Sequence, residues 1–160
     1  MDMTKDFVEV RVHGVAVDDG EGMPVVLLLD KDEGAGIPLS VGPFEASAII
    51  IELQGISPPR PLTHDLLAEL FRESGLILER AELYGAAEVG PQARLIYRRG
   101  LIQRRKEVRP SDAVALALRL KAPICAQRSL LETRARAELS MGDFPSDRGG
   151  HYLRTESRAI

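Results

Sequence analysis

The sequence has no tryptophan and only 4% aromatic residues, so any core must be aliphatic, built from leucine, isoleucine, valine and alanine. Its single cysteine, Cys125, excludes an internal disulfide and fits a reducing, cytoplasmic setting. No apolar run approaches the roughly 18 residues of a membrane-crossing helix, which argues against a membrane partner. Met1 to Asp6 are polar and acidic with no apolar stretch behind them, so no secretory signal is expected. Walker loop, dinucleotide fingerprint and nucleophile elbow are all missing. His13, His64 and His151 have no ligand spacing with one another or with Cys125, which argues against a zinc site.

What is present suits one folded domain. Hydrophobic residues make up 44% of 160, enough for one core and too few for two. The expectation is a compact single α+β domain over residues 1–140, mainly antiparallel sheet with about four helices, and a flexible C-terminal tail over 141–160. Phe7 to Val17 is valine-rich and begins with apolar–polar alternation, as a strand with one wet face does. Val25 to Leu29 is a continuous apolar run and Ile37 to Val41 a third short strand. With turns at Asp18–Gly22 and Asp32–Gly36, the three predict an antiparallel meander.

The period then changes. Glu45 to Gln54 places apolar residues at 46, 49, 50 and 53, and Gly55 sits where a helix would end. Ser57 to Pro61 is a stiff connector, because each residue before a proline is pushed out of the helical region. Thr63 is a predicted N-cap for a helix over Asp65–Ser74 that Gly75 closes. Leu76–Tyr84, Ala93–Arg99 and Leu101–Val108 read as strands, with a turn at Arg99–Gly100. Ser111 is a predicted cap for a central helix over Asp112–Lys121, apolar nearly all round, with Val114, Leu116, Leu118 and Leu120 buried. Ile124 to Ala126 is a short strand, and Ser129 to Ser140 a more charged fourth helix.

The net charge of −3 conceals two opposed halves. Residues 1–93 hold 17 acidic and 6 basic residues; residues 94–160 hold 7 acidic and 15 basic. Either the halves attract each other or a second subunit, or the basic half meets phosphate. Arg94, Arg98, Arg99, Arg104, Arg105, Lys106 and Arg109 crowd one predicted hairpin around Tyr97, with only Glu107 of opposite sign. Such a ribbon either tracks a nucleic-acid backbone with the tyrosine stacked on a base, or is a solvated strand guarded by charge against edge pairing.

Two segments share one design. Arg60-Pro61-Leu62-Thr63-His64-Asp65 and Arg109-Pro110-Ser111-Asp112 each place an arginine, a proline, a hydroxyl and an aspartate at a predicted helix start. Read structurally, the hydroxyls cap and the Arg–Asp sets fix loops. Read functionally, Arg60, Thr63, Arg109 and Ser111 build a phosphate site at two helix N-termini, which Arg104 and Arg105 extend. His64 is either a general base for water or a 2′-hydroxyl, or a helix-terminal residue bonded to the neighbouring loop. Glu45, Asp65 and Asp112 either hold Mg²⁺ or Mn²⁺ or pair with Arg60 and Arg109.

Pro59-Arg60-Pro61-Leu62-Thr63-His64-Asp65-Leu66-Leu67, then Arg109-Pro110-Ser111-Asp112-Ala113, then Ala122-Pro123-Ile124, resembles the bifunctional nuclease domain family. Val41-Gly42-Pro43-Phe44-Glu45-Ala46 is similar to that family's Gly-x-x-Glu-Ala segment. The resemblance spans about residues 7 to 132. It implies a compact α+β domain, often dimeric, and, from its plant members, DNase and RNase activity. It also implies acidic residues in the strand before Arg109, where this sequence is mostly basic and keeps only Glu107. The reading is a nuclease-type domain that binds nucleic acid or nucleotide phosphate and hydrolyses phosphodiesters. The alternative is a non-catalytic regulatory or assembly module whose motif residues are structural.

Overall fold

A computed structural model of the chain describes residues 6–17, 22–86, 88–133 and 136–137, and the backbone of 151–154. The strands are β1 (Phe7–Val17), β2 (Val25–Asp30), β3 (Ala35–Ser40), β4 (Leu76–Tyr84), β5 (Gln92–Arg99), β6 (Ile102–Val108), β7 (Ile124–Gln127), β8 (Glu132–Thr133) and β9 (His151–Arg154). The helices are α1 (Pro43–Leu53), α2 (Thr63–Glu73) and α3 (Pro110–Leu120). One sheet runs β6-β5-β4-β7-β1-β2-β3-β8, antiparallel except where β4 meets β7. β7 pairs with the first half of β1 and β9 with its second half.

The meander β1–β2–β3 forms as expected. β2 is apolar throughout because both its faces are covered. Val26 and Leu28 join the helix-side core, whereas Val25, Leu27 and Leu29 pack with Ala16 and Ala137 on the opposite face. The helix-side core is aliphatic, with α3 packed against α1, α2, β4 and β5. Val114 and Leu116 are buried as expected; Leu118 and Leu120 lie at its margin. Gly55 and Gly75, with φ of 64° and 66°, end α1 and α2 in the left-handed conformation that glycine adopts without strain.

Two β-bulges decide which residues face the helices. The β1–β2 register shifts between Val12 and Gly14, and the β4–β5 register between Leu78 and Arg80. An extra residue reverses the in–out parity of the strand beyond it. Val10 and Val12 therefore share the core with Val15, and Leu76 and Leu78 share it with Ala81 and Leu83. The second bulge turns Arg80 and Glu82 to the face away from the helices.

Four expectations are corrected. The start of a helix expected over Ser129–Ser140 is replaced by a 3-10 turn at Arg128–Leu130 and strand β8, because Glu132 and Thr133 pair with the β3 edge, whereas Arg136 and Ala137 are helical as expected. Residues 134–135 and 138–140 of that expected helix lie outside the described residues. The described residues thus hold three α-helices, not about four. The expected flexible tail contains β9, whose backbone pairs with Gly14–Val17; the rest of 141–160 lies outside the described residues. Thr63 and Ser111 are not N-caps. Leu62 and Arg109 occupy the cap positions in extended conformation, and neither helix start has a side-chain cap hydrogen bond. The physical reason in α3 is Pro110, whose fixed φ suits the first helical position and moves the cap back to Arg109.

Candidate phosphate site at three helix starts

Each helix carries an acid at its third position: Glu45 after Pro43, Asp65 after Thr63, and Asp112 after Pro110. Only Asp65 bonds back to its own cap, accepting from the Leu62 N–H at 2.9 Å. The other two turn to Arg109. Its Nη1 lies 2.8 Å from Glu45 Oε1, its Nε donates to Asp112 Oδ2 at 2.8 Å, and its Nη2 donates to Asp112 Oδ1 at 3.1 Å. Asp112 Oδ1 in turn lies 2.9 Å from His64 Nε2. One chain of polar contacts, Glu45–Arg109–Asp112–His64, therefore joins the starts of all three helices.

Burial disfavours a charged Asp112, but hydrogen bonds from Arg109 and His64 outweigh it and hold the carboxyl below its ordinary value of 3.8. Asp112 is then an acceptor at neutral pH, so Nε2 of His64 carries the proton in their hydrogen bond. The basic nitrogen of the neutral ring is Nδ1. Arg109 is 66% exposed and spends three of its five N–H groups on carboxylates. One hydrogen on each terminal nitrogen remains.

Asp65 does not join this group. Its Oδ1 accepts from Arg119 Nε at 2.6 Å. The Arg119 side chain is 3% exposed and also donates to Ala115 O and Ala48 O, both at 3.0 Å. Burial opposes the Asp65 charge, and the Arg119 and Leu62 hydrogen bonds overcome it, so this carboxyl too is held low. Arg119 thus ties α1, α2 and α3 together. The sequence marked it only as one charge inside an apolar helix.

Arg60 is exposed in the connector and makes no ion pair among the described residues. Thr63 is exposed and Ser111 buried. On β6, Arg104 stands opposite Tyr97 and Lys106 opposite Leu95, so both lie on the helix side, whereas Arg105 stands opposite Ile96 on the other face. The basic ribbon is thereby split between two faces. Arg94 and Arg98 are paired with Glu82 and Glu79 of β4.

Among the described residues no three His, Cys, Asp or Glu side chains stand together as cation ligands. The guanidinium of Arg109 bridges Glu45 and Asp112, a donor arrangement that does not fit Mg²⁺ or Mn²⁺. No described helix is long and apolar enough to cross a membrane.

Residues 26–138 match the family model for the bifunctional nuclease domain. The chain is 39% identical over 123 residues to the uncharacterized protein Rv1829 of Mycobacterium tuberculosis strain H37Rv, covering 77% of this chain and 73% of that one. The uncharacterized protein MT1877 of strain CDC 1551 matches to the same extent.

Proposed function

Because this chain belongs to the bifunctional nuclease domain family, we propose that the three helix starts form a phosphodiester site for single-stranded DNA or RNA. The observation that carries the reading is the Glu45–Arg109–Asp112–His64 chain. The two unspent N–H groups of Arg109 take two phosphate oxygens, and the helix starts add positive potential. Asp112 orients His64, whose Nδ1 takes a proton from the attacking water as the new P–O bond forms. The ester P–O bond breaks, and the imidazolium returns the proton to the departing oxygen. The products are a phosphate monoester and a free hydroxyl. Lys106 and Arg104, exposed on the helix-side edge of β6, continue the phosphate contacts.

The test is cleavage of labelled single-stranded DNA and RNA in chelator, in Mg²⁺ and in Mn²⁺. His64→Gln is expected to lower the rate by about 10²-fold or more while leaving binding intact. Loss of all cleavage in chelator would require a cation that this donor arrangement does not explain.

A second reading has its own support. Every acid near Arg109 is satisfied by it, which is what a structural clasp needs. In that reading the domain is a regulatory or assembly module. Undetectable binding of single-stranded nucleic acid at low salt by the folded protein would select it. Either reading accommodates a homodimer, for which the exposed Leu62 and, on α2, Leu66, Leu67 and Leu70 offer apolar surface. Light scattering across concentrations tests this, and a constant monomer mass would exclude it.

A further inference from the structure

The face of the sheet turned away from the helices carries a different arginine cluster. Glu82 is 5% exposed in its side chain and accepts from two guanidiniums: Arg80 Nε at 2.7 Å on Oε1 and Arg94 Nε at 2.6 Å on Oε2. Both arginines thus spend their Nε on one carboxylate. Their terminal nitrogens have no acceptor among the described residues. Arg94 is also held flat, its guanidinium carbon 4.8 Å from the Tyr84 ring centre and 6.0 Å from that of Phe7.

These groups line a pocket of about 210 Å³ with Phe7, Ile96 and Arg105. Arg80, Arg94 and Arg105 on this face meet a single carboxylate in its lining, so the local charge is positive. Three other acids on this face have partners outside the pocket, Glu9 lying 3.9 Å from Arg11. Glu79 pairs with Arg98 and Gln103, and Glu107 accepts from the Tyr84 hydroxyl. Guanidiniums of like charge, brought together with terminal donors unspent, call for an anion.

We propose that this pocket is a second anion site that takes a phosphate group on Arg80, Arg94 and Arg105. The pocket is smaller than the roughly 300–1,000 Å³ that accommodate a drug-sized ligand, which fits the phosphate itself and not an entire nucleotide. The terminal N–H groups of two positioned arginines meet the phosphate oxygens, and Arg105 closes over it from β6. Such a group comes from a small phosphorylated molecule or from a nucleic-acid backbone crossing the sheet. The site lies on the opposite face from the three helix starts and does not depend on them.

The test is isothermal titration of the full chain with inorganic phosphate and with pyrophosphate at low salt, for the parent, Arg105→Gln and Arg109→Ala. Arg105 is exposed, so its substitution leaves the fold intact, which circular dichroism checks. We expect Arg105→Gln to weaken one class of binding at least tenfold while Arg109→Ala retains that class. Arg94→Gln should do the same if it folds. Displacement of bound pyrophosphate by a single-stranded oligonucleotide identifies the backbone as the source; no displacement identifies a small phosphorylated ligand. Absence of any phosphate binding, or binding that survives Arg105→Gln and disappears in Arg109→Ala, would overturn the proposal.

Discussion

Arg109 and Arg119 stand at the two ends of α3 and each binds an aspartate at the third position of a helix, yet they do different work. Arg119 is 3% exposed and its donors end on Asp65 and two main-chain carbonyls. Arg109 is 66% exposed, holds Asp112 and Glu45, and keeps donors facing water. The lesson is that an arginine–carboxylate pair takes its role from burial. The buried one fixes three helices, because a charge out of water must stay paired. The exposed one is held in place while remaining open to an anion.

The largest effect expected from breaking this symmetry is at Arg119. Arg119→Met should cost about 3 kcal/mol, since it leaves Asp65 without its cationic partner and breaks the tie between α1, α2 and α3, although partial solvation of Asp65 limits the loss. Urea unfolding measures it. Arg109→Met should lower the unfolding midpoint less than Arg119→Met does, because Asp112 keeps His64 and the site is open to water, and should abolish oligonucleotide binding at the helix starts. Equal destabilisation by both substitutions would remove the distinction.

Acid should sharpen the comparison. Asp65 and Asp112 both have lowered folded-state values, so each contributes stability that is fully present above the ordinary 3.8 and is lost as pH falls below it. The thermal midpoint should therefore fall as the pH drops below about 4. In Arg119→Met the Asp65 share disappears, and the fall should be shallower. An unchanged acid limb would mean that Arg119 does not hold Asp65 in solution.

The smallest effect concerns Gly42, the extended cap of α1. A Cβ there would collide with the Glu45 carboxylate, so Gly42→Ala should push Glu45 away from Arg109. The stability cost should be about 0.5 kcal/mol, that of a poorer cap. The freed Arg109 donor should raise phosphate affinity about threefold, the worth of one modest hydrogen bond. Titration of the folded variant with phosphate checks this.

Much of the site was legible because its residues are local. Arg109 and Asp112 are one turn apart, and Pro43, Pro110 and Gly75 punctuate helices by their own backbone limits. His64 and Glu45 were recognisable as candidates, but their meeting through Arg109 depends on how three helices converge. Thr63 and Ser111 misled, because a hydroxyl near a helix start suggests a cap; Pro110 overrides it in α3, and in α2 Asp65 bonds to the Leu62 N–H one residue earlier. Ser129–Ser140 misled for another reason. At its start the helical pattern competes with an open β3 edge, where Glu132 and Thr133 pair instead, while Arg136 and Ala137 are helical.

The sequence by itself determined the aliphatic core, the meander, the central α3 and the three acid-bearing helix starts. Each follows from periodicity or from a backbone restriction acting within a few residues. Only the tertiary structure decided that Asp65 belongs to Arg119 and Asp112 to Arg109 and His64. It alone joined β9 to β1 and decided which face Arg104 and which face Arg105 takes. It also brought Arg80 and Arg94 together over Glu82. The physical reason is the bulge between Leu78 and Arg80: one extra residue, with no strong mark in the sequence, reverses the facing of every side chain beyond it.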